Sequence, residues 1–322
     1  MSLEQLEKTS PAKVLTGPGE SRRRVASAFD GSRGLMLSVA RDKFALIGIL
    51  FMLVIIISAV FAPWVAPMDP NDGDIARRLK PPAWESGDWS NLLGTDQQGR
   101  DLLSRIFWGG RSSLVIALSV VVLAGSFGTL IGLLAGYFGG KVDTLLMRLT
   151  DVQTAFPGLL LALLILTMVG PSVTALIIVL SINGWMVYAR MMRGQVLSLR
   201  EMPFIEAAQA IGANHRRVMF RHLLPNLASP LLTLGTLEFA RIILAESILS
   251  FLGVGVQPPD MSWGLIIADA ADYFQTNWWF STFPGLAIAL TVLSVNVVAS
   301  WLRTQADPLQ RSRRSANNAQ GH

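Results

Sequence analysis

Residues 206–225 read EAAQAIGANHRRVMFRHLLP, and they stand between two long apolar stretches, Ser172–Ala189 and Leu227–Leu252. Pro203 suits the first turn of a helix, where its missing N–H costs nothing. Phe204, Ala208 and Ile211 then fall on one face at spacings of four and three. Ala207, Ala208 and Ala210 keep the helix surface low. Gly212 ends this helix, and Asn214 caps a second one that runs to Leu224 before Pro225. The pattern is two short helices joined at a glycine. It allows two readings: a rigid elbow that docks against another protein, or a basic amphipathic helix lying on a bilayer.

The flanking chain is that of an all-α membrane protein. Of its 322 residues, 51% are hydrophobic and 15% charged, where a soluble domain carries about 25% charged residues. Six apolar segments reach spanning length: Phe44–Phe61, Leu114–Tyr137, Val152–Val169, Ser172–Ala189, Leu227–Leu252 and Trp278–Leu302. A hydrocarbon core about 30 Å thick needs roughly 20 helical residues. A lone strand would leave its backbone groups unsatisfied in lipid, so these are helices. The third and fourth meet at Gly170–Pro171 in a tight hairpin. The polar stretch before residue 44 is too long for a cleaved signal, and the first span is expected to be a permanent anchor.

Lys and Arg near the spans set the orientation. Eight lie in residues 1–43, six in 190–221 and four after residue 302, whereas residues 253–277 hold none. This places both termini and the 190–226 loop in the cytoplasm. Residues 62–112 carry six basic and seven acidic side chains on the outer side, and a segment that long crosses largely regardless of charge. The expected organisation is a disordered cytoplasmic arm (1–34), a first span with its outer loop (35–112), a five-helix core (113–305) and a cytoplasmic tail (306–322). Asp101–Trp108 reads as a short helix near the membrane surface.

Glu238, Arg241 and Glu246 lie within roughly 140° of arc at about 100° per residue, as one polar stripe on the fifth span. Charges at that depth are costly and face a cavity or one another. The stripe either lines a translocation path or sits at a subunit seam, with Glu246 nearest the outer end. Gly128, Gly132 and Gly136 recur every fourth residue and permit close helix packing. Arg100, Asp101 and Arg105 read as local pairs worth about 0–1 kcal/mol if exposed.

Other chemistries are excluded. The chain has no cysteine, so disulfides and thiolate metal sites are absent. There is no H-E-x-x-H or G-x-S-x-G, and Gly140–Lys141 lacks the glycine and hydroxyl of a phosphate loop. Nucleic-acid motifs are missing too. No catalytic site, cofactor or metal is expected.

Residues Glu206, Ala207, Ala208, Gly212, Leu224 and Pro225 resemble the EAA loop of binding-protein-dependent ABC importer permeases: EAA, three residues, Gly, nine residues, I-x-L-P. His222 stands where that pattern prefers Ile. LGTDQQGRDLLSR (93–105), GYFGGKVDTLLMRLTDV (136–152) and ESILSFLGVGVQPPDMSWG (246–264) resemble the dipeptide/oligopeptide/nickel branch, its second permease subunit in particular. Asp260–Met261 and the VVASWLRTQADP end depart from that branch. The resemblance implies a MetI-like permease fold with six transmembrane helices in the bacterial inner membrane. Phe204, Glu206, Ala207, Ala208, Gly212, Leu224 and Pro225 would form a coupling helix gripped by an ATPase. Glu238, Arg241 and Glu246 would serve the path or its gate. The implied partners are a second, homologous permease in a heterodimer, two ABC ATPase subunits, an extracytoplasmic solute-binding protein and membrane lipid. The implied cargo is di- or oligopeptides, with nickel chelates or glutathione as alternatives. The remaining rival is a self-contained secondary transporter, for which the fifth-span charges are the candidate coupling residues.

Overall fold

The computed structural model describes residues 43–306, with side chains to residue 303. The expected arm at 1–34 and the tail beyond residue 306 lie outside the described residues. Regular structure among the described residues is helical: α1 (Lys43–Val60), α2 (Leu102–Phe138), α3 (Gly140–Thr154), α4 (Gly158–Val169), α5 (Val173–Arg200), α6 (Pro203–Ala210), α7 (His215–Asn226), α8 (Ala228–Phe251), α9 (Trp263–Ala270) and α10 (Trp278–Ala306). Helices α1, α2, α5 and α10 are each long and apolar enough to cross a membrane. The bent pairs α3–α4 and α7–α8 bring the crossings to six when each pair counts as one.

The third segment departs from expectation. It is not one helix over Val152–Val169 but two, meeting at 78° across Ala155–Pro157. Proline at the N-cap of α4 cannot donate to the preceding turn, so the ladder stops there. Helix α4 alone has 12 residues, about 18 Å, too short for the hydrocarbon core. The surface helix expected at Asp101–Trp108 is also absent as a separate element: it is the first part of α2, which runs unbroken for 37 residues across the expected boundary at 112. Asp101 starts it by accepting from the Ser104 N–H at 2.8 Å. Likewise α5 continues to Arg200, so the loop expected from residue 190 begins at Glu201.

Helices α2 and α5 form the central seam. Gly128, Gly132 and Gly136 face α5 so closely that a Cβ at 128 would strike the Trp185 carbonyl, and one at 136 would lie 2.8 Å from Val196 Cβ. Around this seam pack two apolar clusters. One includes Ile116, Leu176, Ile243 and Phe280; the other includes Leu133, Tyr188, Met192 and Leu223. Helix α9 folds back onto α2, where the Trp263 ring fills the space left by Gly110 and its Nε1 donates to the Ile106 carbonyl at 2.9 Å.

The segment ahead of α2 is tied down by charge. Asp96 is fully buried and accepts from Arg100 Nε at 2.6 Å and from Arg105 Nη1. Arg105, 2% exposed, also donates to Asp269 on α9 at 3.0 Å. Arg100 and Arg105 do pair, but with Asp96 and Asp269, while Asp101 accepts from Asn91 and Ser104 and joins no ion pair among the described residues; the exposed-pair magnitude does not apply, because both arginines and Asp96 are out of water. At the surface of the same segment, the Lys80 ammonium holds the Asp88 carboxyl well below the usual carboxylate range.

Candidate functional site

Two features stand out on this scaffold: the α6–α7 elbow and a cavity beside α8. Pro203 occupies the first turn of α6. Ile205 and Ala208 are buried against the parent chain, whereas Phe204, Ala207 and Ile211 are exposed, Ile211 by 86%. The face expected from Phe204, Ala208 and Ile211 therefore splits. Ala208 joins Ile205 on the inward side, and the outward stripe is Phe204, Ala207 and Ile211, at spacings of three and four. Glu206 is exposed in the first turn, beside the positive helix end.

Gly212 turns the chain with φ +81°, a conformation glycine adopts without penalty. Its N–H donates to the Gln209 carbonyl at 2.9 Å. Asn214 caps α7 by accepting from the Arg217 N–H at 2.9 Å. Helix α7 contains a π-helical stretch, Val218–Leu223, and continues through Pro225 to Asn226 rather than ending before the proline. Val218, Met219 and Leu223 bury against the same cluster as Ile205. Leu224 is half-buried and Pro225 exposed. Polar contacts fix the elbow to the seam: Tyr137 Oη lies 2.8 Å from His215 Nδ1, and Arg200 donates to the Gly136 carbonyl at 3.1 Å. Nearby, Arg193 grips Asp143 bidentately at 2.5 and 2.6 Å.

The fifth-span charges do not act as one stripe. Glu238 and Arg241 line a cavity of about 630 Å³ between the Ala155–Pro157 break, α5 and α8. Glu246 points elsewhere, into the protein. It is fully buried and accepts from Ser113 Oγ at 3.1 Å and Ser250 Oγ at 2.8 Å. Ser113 in turn accepts from the Trp263 N–H at 3.4 Å, so Glu246 ties α2 and α8 to the start of α9. Residues overlooked in the sequence include the anchors Ile205, Val218 and Leu223. Ile205 stands three residues before Ala208, but Phe204 and Ile211 offer an equally apolar face, so no signal in the sequence chose between them. Asn183, on the cavity wall, gave none.

The family described as binding-protein-dependent transport system inner membrane component matches residues 128–312, which contain both the elbow and the cavity. This chain belongs to that family. The N-terminal transmembrane domain of oligopeptide transport permease C matches residues 38–82 of this permease. It is 44% identical to the di/tripeptide transport system permease protein DppC of Pseudomonas aeruginosa (strain UCBPP-PA14), over 84% of this chain and 90% of that protein. It is 41% identical to the dipeptide transport system permease protein DppC of Escherichia coli (strain K12), over 83% and 90%. Among solved structures, an inward-facing MetNI methionine ABC transporter aligns with a TM-score of 0.46 at 19% identity, over 60% of this chain and 94% of that one.

Proposed function

We propose that this permease translocates di- or oligopeptides, handed over by an extracytoplasmic binding protein and driven by ATP hydrolysed on separate subunits. The cargo follows from relatives named for di/tripeptide and dipeptide transport. A second, homologous permease completes the path as a heterodimer, and two ATPases sit beneath, each holding one elbow. The Lys- and Arg-rich segments put the elbow and both termini on the ATPase side. The observation that carries the reading is the two-faced α6. Its Ile205–Ala208 side is locked into the central seam, while Phe204, Ala207 and Ile211 present bare apolar surface. Glu206 adds charge to that face, and Gly212, Leu224 and Pro225 set the elbow's shape.

In this mechanism ATP-driven closure of the ATPases moves α6, and α5 and α8 carry the displacement to the path. Each state is favoured by the ligand that binds it better, ATP or the loaded binding protein. Glu238 and Arg241 face the path. Glu246 acts next to the outer gate by holding α9 in register.

Gly212→Val and Glu206→Lys test the elbow. A Cβ at 212 meets open space but not an allowed backbone, so the turn distorts without disturbing the core. ATP-dependent peptide uptake falls at least about tenfold in both, with membrane levels unchanged. Normal uptake in both variants refutes the assignment. Uptake that survives inactivation of the ATPase returns the protein to the class of self-contained transporters.

A further inference from the structure

A second cavity, of about 700 Å³, opens between α1, α2, α8 and α10. Helix α1 rests on α10 near its own start, where a Cβ on Gly48 would lie 3.1 Å from Val297 Cγ1. Further along, the gap separates it from α2 and α8. The walls are apolar, with Ile56 from α1, Leu118 and Val122 from α2, Phe239 from α8 and Val295 from α10. Ile56, Leu118 and Val122 are exposed, so the cavity opens sideways, toward the bilayer. One charged residue lines it, Arg111, at one end. That guanidinium lies 5.6 Å from the centre of the Trp108 ring and makes no ion pair among the described residues. Exposed Trp64, just past α1, and Trp278, at the start of α10, stand at the same ends of their helices. Tryptophans at helix ends mark the headgroup level of a membrane, so Arg111 stands close to that level.

The dimensions say what fits. From Arg111 to Ser126, both on the α2 wall, the helix rises about 22 Å. That is half of a bilayer about 40–45 Å thick with its headgroups, the depth of one leaflet. About 700 Å³ spread over that length leaves a mean cross-section of about 30 Å². A helix about 10–12 Å across needs roughly three times as much, whereas an acyl chain is slender enough to enter. We propose that this cavity seats one phospholipid, its phosphate on Arg111 and an acyl chain along the α1–α2–α8 wall. The cation answers the phosphate, and the apolar walls regain the dispersion contacts that a void forfeits. The seated lipid is a structural part of the permease, a filler that couples α1 to α2 and α8, and it is independent of which cargo is carried.

The test uses the assembled transporter in vesicles of phosphatidylethanolamine and phosphatidylglycerol, doped with phosphatidylglycerol that carries a photoactivatable group at an acyl end. After illumination, labelled peptides are mapped by mass spectrometry, with exposed Leu164 on α4 as the reference for passing lipid. The label falls on the cavity wall, at Met52 or Leu231. Arg111→Gln removes the phosphate contact and Leu118→Trp fills the space; each lowers the cavity label at least about fivefold and leaves the reference unchanged. Arg111→Lys, which keeps the charge, stays within about twofold of wild type. Should Leu118→Trp fail to assemble, the two Arg111 variants decide alone. Cavity label that Arg111→Gln leaves unchanged overturns the proposal. So does capture of the second permease, in place of lipid, by a benzophenone placed on Val122→Cys, a unique thiol in a chain without cysteine.

Discussion

Placing a single methyl group at Gly132 tests whether the α2–α5 seam is as tight as its geometry says. An alanine Cβ there lies 2.9 Å from both the Arg193 nitrogen and Met192 Cβ, and closer still to the Ala189 carbonyl oxygen. Comfortable contact begins near 3.5 Å, so the helices must part by roughly 0.6 Å or more. The obstruction is mostly backbone and cannot rotate away. A gap of about 0.5–1 Å forfeits a quarter to a half of each dispersion contact it opens, and overpacking costs about 1–3 kcal/mol. Gly194, on the same α5, is the control. Nothing lies within 4 Å of its added Cβ, and replacing a helical glycine by alanine gains about 0.5–1 kcal/mol. The two variants should therefore differ by about 2–3 kcal/mol in opposite directions. At about 1.5 °C per kcal/mol for a chain of this size, their apparent melting temperatures in detergent separate by about 3–5 °C. Equal melting temperatures for Gly132→Ala and Gly194→Ala would refute the tight seam.

Two further substitutions probe the other features. Arg105→Met removes one of the two guanidinium partners of the buried Asp96 carboxylate, leaving Arg100 in place, and lowers stability by about 1.5–3 kcal/mol, whereas Arg77→Met breaks an exposed pair with Asp74 and costs at most about 1 kcal/mol; thermal unfolding of the two variants side by side reads the contrast. Ile211→Asp, at the exposed tip of α6, abolishes co-purification of the ATPase without lowering the amount of permease in the membrane, while Ile205→Asp, on the buried face, lowers the amount itself, and quantitative blotting of membrane and complex fractions separates the two outcomes.

The local chemistry of the elbow was readable residue by residue. Pro203, Gly212 and Asn214 each act through their own backbone or cap, so neighbours in sequence suffice to place them. Which side of α6 faces home was not readable, because Ala208 and Phe204 are both apolar and only the position of α2 and α5 decides between them. The break in the third span was hidden for a related reason. Ala155, Phe156 and Pro157 keep the hydropathy high, and hydropathy registers composition while the helix answers to a missing N–H. The fifth-span charges were read as one stripe, and their separation into a cavity-lining pair and a buried clasp was not readable, because the clasp on Glu246 depends on Ser113, which belongs to α2 and is distant in sequence. Arg105 was underrated because its exposure, unlike its charge, is a property of the folded chain.

The glycine contacts between α2 and α5 also dictate how movement can travel. Helix α5 is an uninterrupted rod of 28 residues, about 42 Å from end to end, clasped near its middle and along one half. Such a rod can rock but hardly bend. A sideways nudge delivered at Arg200, three residues before α6 begins, must reappear at Val173 with its sense reversed, as on a seesaw with an off-centre fulcrum. The shorter arm moves less and pushes harder, so the position of the three glycines sets the gearing between the two ends of the molecule.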